Sequence, residues 1–239
     1  MFLYKQKIVV TGGSGRFGSE LKKIKNKYNL LYPSKFKLNV LNFNNIKRYL
    51  KKEKPKYLIH LAGLSRPMEM HNKYIDKSID LNIIGTSNIT KACWQLGIKL
   101  IYFSTCYLYP GTKGNYKETD PLLPNNKYAW SKLGGESAVQ MYSNSLILRV
   151  CMTEKPFVHK KAFYDFTTNF IFHDEVAKFL FKLINKRGIV NLGGRTQTVY
   201  NFVKKYNPDI KKISAKKIFG KKYPLNPSMN INKLKKIIK

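Results

Sequence analysis

Lys7-Ile-Val-Val-Thr-Gly-Gly-Ser-Gly-Arg-Phe-Gly18 is the stretch that decides the reading of this 239-residue chain. Five residues dominated by β-branched side chains run straight into Gly12, Gly15 and Gly18, and a helix-like segment follows over 16–27. A strand, a glycine turn and a helix in that order let the backbone approach a diphosphate closely and turn a helix N-terminus toward it. Gly12, Gly15, Arg16, Phe17 and Gly18 are therefore candidate cofactor-binding residues.

The same rhythm continues outward. Apolar strand-like runs at 30–32, 57–62, 100–104 and 146–150 alternate with helix-like segments at 46–52, 78–97 and 127–142. Strands alternating with helices predict a parallel sheet covered on both faces. After Arg149 the pattern loosens: 154–168 reads as a loop, 174–184 as a helix, 189–192 as a short strand, and the lysine-rich tail 203–239 as ending in a helix. The fold class is α/β, a Rossmann-like doubly wound parallel sheet with a small C-terminal substrate-binding cap. Residues 1–150 form the NAD(P)-binding part and 151–239 the cap, interleaved with the sheet in a single compact unit. Ligands of open α/β sheets bind outside the C-terminal strand ends, where such a cap would sit.

The net charge of +32 invites a nucleic-acid or membrane reading. Yet 39 lysines stand against six arginines, the lysines are spread along the whole chain, and Asn, Ile and Tyr are also abundant. Residues with AT-rich codons rise together, which fits a biased genome better than a binding surface. No specific nucleic-acid partner and no membrane association are expected. Residues 1–10 carry no apolar leader run, and no apolar stretch nears the roughly 18 residues of a membrane span. Cys93, Cys106 and Cys151 are an odd number at unrelated spacings, with no zinc or disulfide pattern. A reducing cytoplasm is the expected setting.

Tyr128-Ala-Trp-Ser-Lys132 carries the chemistry. A spacing of four on a helix places Tyr128 and Lys132 on one face. The ammonium is then expected to pull the phenol from about 10 toward neutrality, making it a usable proton donor or acceptor. Thr105 ends a strand-like run a short way upstream. Cofactor choice rests on the end of the second strand, where an acidic side chain would hold the adenosine ribose diol. Pro33, Ser34 and Lys35 stand there instead, and the Arg16 guanidinium lies in the glycine turn. Both features favour NADP(H), with NAD(H) still possible.

Further segments accompany these: His60-Leu-Ala-Gly63, Asp80-Leu-Asn-Ile-Ile-Gly-Thr86, Phe103-Ser-Thr-Cys-Tyr-Leu-Tyr109, Glu118-Thr-Asp-Pro121, Gly135-Glu136, Leu148-Arg149 and Ile171-Phe-His-Asp-Glu-Val-Ala177. With them the chain resembles the extended short-chain dehydrogenase/reductases, and within them most closely the dTDP-4-dehydrorhamnose reductases. That resemblance implies reduction of the C4 ketone of a nucleotide-linked 4-keto-6-deoxy sugar, in polysaccharide precursor synthesis. It makes Tyr128 the acid that protonates the developing alkoxide, Lys132 the residue that holds the nicotinamide ribose, and Thr105 a hydrogen-bond donor to the reacting oxygen. Asn82 matches the helix asparagine that supports the lysine. Asn39 falls where the family places a residue against the adenine, and Ala62 and Gly63 would line the cofactor through close backbone approach. A homodimer through the helices at 78–97 and 127–142 is a further implication.

Other residues read as structural. His60 lies on an apolar strand and reads as a core histidine, and His173-Asp174-Glu175 fits a helix N-terminus better than a metal cluster. Cys106 stands where many reductases of the subgroup carry Asp, and the stretch between Arg149 and Phe172 is short for a nucleotide-sugar site. Two alternatives therefore stay beside the reductase: a nucleotide-sugar epimerase, and a non-catalytic NADP-binding regulatory subunit.

Overall fold

The structure, a computed structural model, describes residues 5–239. Six parallel strands form its sheet: β1 (Lys7–Thr11), β2 (Asn29–Leu31), β3 (Tyr57–His60), β4 (Lys99–Thr105), β5 (Ser145–Val150) and β6 (Gly188–Leu192). Their order is β6-β5-β4-β3-β1-β2. In β1 the pleat sends Ile8 and Val10 into one apolar cluster and Val9 into the other, so both sheet faces are buried. Helices α1 (Arg16–Lys23), α2 (Phe43–Glu53), α3 (Gly85–Leu96), α4 (Lys127–Gln140), α5 (His173–Leu183) and α6 (Asn232–Ile238) cover them. Leu21 of α1, Val176 and Leu180 of α5 and Leu234 of α6 pack on the Ile8 face. Ile46 of α2, Ile89 of α3 and Val139 of α4 pack on the Val9 face.

Residues beyond 150 return to this sheet. They contribute its edge strand β6, paired in register with β5 from Gly188↔Leu146 to Leu192↔Val150, and helices α5 and α6 on one face. The remainder forms a small aromatic core of its own around Phe166, Phe172, Phe202 and Ile210.

Three expectations from the sequence change. Helix α1 stops at Lys23, because Asn26 captures the chain in a local turn: its Nδ2 donates to the Ile24 carbonyl and its Oδ1 accepts from the Tyr28 N–H. The segment 154–168 is not all loop. Strand Lys161–Phe163 pairs with Lys211–Ile213, and Thr167–Thr168 pairs with Gln197–Thr198, partners too distant in the chain to leave a local pattern. The helical stretch ahead of α3 contains a π-helical turn, Ile79–Ile84, with Asn82 buried inside it. Such turns often mark functional sites.

Candidate active site

The glycine turn closes where β1 ends. Gly12 adopts φ +69°, and a Cβ there would meet the Ala62 backbone nitrogen at 2.5 Å, so the turn lies flush against the chain leaving β3. A Cβ at Gly18 would meet Gly13 backbone at 2.7 Å, which seats α1 directly on the turn. Above Gly15 the space is open. A Cβ there would find only the Gly12 carbonyl within contact range, at 3.2 Å, and Gly15 is itself the exposed N-cap of α1. Phe17 is buried and anchors the helix, its ring 4.8 Å from that of Phe103. A shallow, backbone-lined cradle at the start of a helix fits the diphosphate of a dinucleotide. Ala62 and Gly63 flank it, and Gly63 is exposed.

At the end of β2 the sequence signal lies at Ser34 and Lys35, both exposed, with the Ser34 carbonyl accepting from Lys37 and Leu38 N–H groups. Tyr32, which pattern reading passed over, packs its ring on Gly13 and under the Lys22 ammonium, 5.0 Å from the ring centre. Its hydroxyl is buried without a partner, and burial pushes it up to about 12. Asn39 spends its side-chain oxygen locally, accepting from Leu41 N–H at 3.0 Å, while its own N–H donates to Asn45.

Helix α4 starts at Asn126, whose side chain accepts from Ala129 N–H at 2.9 Å. This sets Tyr128 in the first turn and Lys132 one turn later. A Cβ at Gly135 would meet the Asn82 carbonyl oxygen and the Tyr102 hydroxyl, so glycine there lets α4 lie close against the π-helical turn. Asn82 in turn donates to the Ser131 hydroxyl at 2.8 Å and clamps Leu64 by both its N–H and its carbonyl. The asparagine thus ties together the loop after β3 and the helix that carries Tyr128. Its side chain thereby braces the helix that also carries Lys132. Glu136 and Arg149, from separate motifs, meet as a fully buried ion pair at 2.7 Å, and Arg149 also donates to the Tyr109 hydroxyl and the Glu118 carbonyl.

Tyr128 lies beside the Thr105 hydroxyl at the end of β4, and Lys132 follows one helical turn later. Burial pushes Tyr128 up to about 12, with Cys106 adding to the rise, while the Thr105 hydroxyl and the Arg66 and Arg16 guanidiniums pull it back. Burial likewise draws Lys132 down to about 7 against the pull of Glu136, and its amine sits 4.1 Å over the Tyr102 ring. The spacing of four predicts a tyrosine lowered by the lysine. In the folded chain desolvation sets the direction for both groups, raising the phenol and lowering the amine.

Arg16 does not turn toward Ser34 and Lys35. Its guanidinium reaches the other way across the sheet edge, donating to Glu154 at 2.8 Å and to Ser65 at 3.4 Å. Arg66 donates to both oxygens of the same carboxylate at 2.9 and 3.0 Å. Arg66 and Glu154 were not marked by the sequence, since neither belongs to a recurring spacing. His60 is buried, bonded to Thr11 at 2.7 Å and Thr86 at 3.1 Å, and held down to about 3 by burial and by Lys132. His71, also unmarked, packs its ring 5.1 Å from that of Tyr128.

The family described as RmlD substrate binding domain matches residues 6–163. Among curated relatives, methionine adenosyltransferase 2 subunit beta of Pongo abelii is 29% identical over 143 residues, 56% of this chain and 42% of the relative. The spore coat polysaccharide biosynthesis protein SpsK of Bacillus subtilis is 28% identical over 148 residues, 60% of this chain and 52% of the relative. The chain thus spans about half the length of the curated relatives it matches. Among solved structures, a dTDP-4-dehydrorhamnose reductase of Bacillus anthracis in complex with NADP superposes with a TM-score of 0.85, at 21% identity over 97% of this chain and 92% of that one.

Proposed function

The chain belongs to the RmlD substrate binding domain family, and from that membership we propose that it is an NADPH-dependent reductase of a nucleotide-linked 4-keto-6-deoxy sugar. The observation that carries this reading is Tyr128 beside the Thr105 hydroxyl, with Lys132 one helical turn on, in a chain whose first strand ends in a glycine cradle that fits a dinucleotide. When bound there, the nicotinamide supplies the hydride. Tyr128, held protonated far above neutral pH, donates its phenolic proton to the oxygen that becomes the alcohol. Thr105 steadies that oxygen, and Lys132 lies within the range where an anionic neighbour restores its full charge. Gly12, Gly15, Phe17, Gly18, Ala62 and Gly63 shape the backbone around the cofactor, with Asn39 toward the adenine.

Preference for NADP(H) over NAD(H) is supported by the exposed Ser34-Lys35 segment and by the lack of an acid after β2. Residues 1–150 bind the cofactor in this reading, and the part of 151–239 outside the sheet covers the sugar. Among the described residues no helix is long and apolar enough to cross a membrane, and all three cysteines are free and buried, which supports a reducing cytoplasm. Exposed Ile79, Ile84 and Trp130, on the π-helical turn and α4, support a homodimer through that face.

The test is oxidation of NADPH by the purified chain with a panel of dTDP- and UDP-linked 4-keto-6-deoxy hexoses. Turnover that falls by about 10²–10⁴ in Tyr128→Phe with NADPH binding retained supports the reductase. Interconversion of sugar epimers without net NADPH loss would make it an epimerase. Tight NADPH binding with no turnover would favour a regulatory subunit, a reading supported by the likeness to methionine adenosyltransferase 2 subunit beta.

A further inference from the structure

The edge of the sheet opposite the glycine turn holds a cavity of about 340 Å³, lined by Lys56, Tyr57, Gly97, Lys99, Asn144, Asn185 and Arg187. Every charge in that lining is positive. Lys99 begins β4 and is only 8% exposed, and among the described residues its buried ammonium has no hydrogen-bond partner. Lys56 precedes β3 and its carbonyl accepts from the Lys99 N–H at 3.2 Å, while Arg187 precedes β6 and donates to Asn144 at 3.4 Å. Four strand starts thus bring three cations and two amides to one hollow. Burial and the nearby Arg187 draw Lys99 down to about 8, the signature of a cation that lacks a counter-charge. Among the described residues none of the three cations is in an ion pair.

An uncompensated buried ammonium is costly, and folded proteins normally supply it with a partner. We propose that this cavity is a binding site for a phosphate-bearing small molecule, with Lys99 and Arg187 gripping the phosphoryl oxygens and Lys56 at the rim. A guanidinium and an ammonium converging on one point suit the oxygens of a phosphate ester. The volume lies at the small end of ligand pockets, about 300–1,000 Å³, which admits such an ester as well as the bare ion. The site stands apart from Tyr128 and the glycine cradle, so it is independent of the reductase reading.

Titration calorimetry of the full chain with inorganic phosphate and with diphosphate, at constant ionic strength, tests it. Lys99→Met is the variant, and Lys211→Met, on an exposed strand in the cap, controls for diffuse positive charge. Saturable binding that weakens at least about tenfold in Lys99→Met, the loss of one charge-assisted contact, and is unchanged in Lys211→Met is the expected result. Thermal unfolding without phosphate guards against misfolding: Lys99→Met should unfold no earlier than the parent chain, while losing the rise in midpoint that phosphate gives the parent. Binding of equal strength in Lys99→Met, or no saturable binding in the parent chain, overturns the proposal.

Discussion

Asn82 and Ser131 are joined side chain to side chain across two helical elements: the Asn82 amide donates to the Ser131 hydroxyl at 2.8 Å, and that hydroxyl donates on to the Tyr128 carbonyl at 2.7 Å. The position of the proposed acid therefore depends on a residue 46 places earlier in the chain. Replacing Asn82 with Ala removes the donor to Ser131 and leaves both backbone groups of Leu64 without their side-chain partner. The expected cost is about 1–3 kcal/mol, with Ser131→Ala costing less because it breaks fewer bonds. Denaturant unfolding of the two variants checks the order, and equal costs would refute the clamp.

Gly12 and Gly15 should separate folding from cofactor binding. Gly12→Ala places a methyl against Ala62 backbone at a positive φ, with an expected loss of more than about 1–3 kcal/mol. Gly15 has φ −72° and open space above it, so Gly15→Ala should fold within about 1 kcal/mol of the parent. Its methyl would stand in the cradle and weaken NADPH binding at least about tenfold. Thermal midpoints and fluorescence titration with NADPH read the two effects.

Lys35 and Arg16 should differ in what they do to cofactor choice. Lys35 is exposed after β2, whereas Arg16 is committed to Glu154 and Ser65 on the far side of the turn. Lys35→Glu is expected to shift the NADP/NAD affinity ratio toward NAD by roughly tenfold, the scale of one lost charge-assisted contact. Arg16→Ala is expected to change both affinities together. A ratio that responds to Arg16 but not to Lys35 would reverse the assignment.

His60 should leave a mark on acid stability. Its folded value of about 3 lies below the ordinary 6.5, so between these the unfolded chain binds the extra proton. The contribution is complete above about pH 6.5 and is lost as pH falls toward 3, with a slope of up to about 1.4 kcal/mol per pH unit. His71 and His173, also lowered by burial, act in the same direction. Denaturation midpoints followed from about pH 7 to about pH 4 should fall less steeply in His60→Gln than in the parent chain. Parallel curves would show that His60 is not the group titrating.

The parts that were legible in the sequence are those whose physics is local. A glycine spacing of three after a β-branched run, and a tyrosine four residues before a lysine, state their geometry within one turn of chain. The parts that were not legible are contacts across long separations. Arg16 meets Glu154 over 138 residues, and the two strand pairs of the cap join segments dozens of residues apart. The cavity at Lys99 draws its polar lining from the starts of four strands, mostly lysines and asparagines in a chain crowded with both.

By itself, then, the sequence determined the alternation of strand and helix, the glycine turn and the one-turn spacing of Tyr128 and Lys132 on a helix, because backbone sterics and helical periodicity act between near neighbours. Only the tertiary structure decided the direction in which burial shifts Tyr128 and Lys132, the direction of Arg16 and the gathering of cations around Lys99. Those depend on burial and on Coulomb interactions between groups that meet only once the sheet is assembled, and desolvation there overrides what spacing alone predicts.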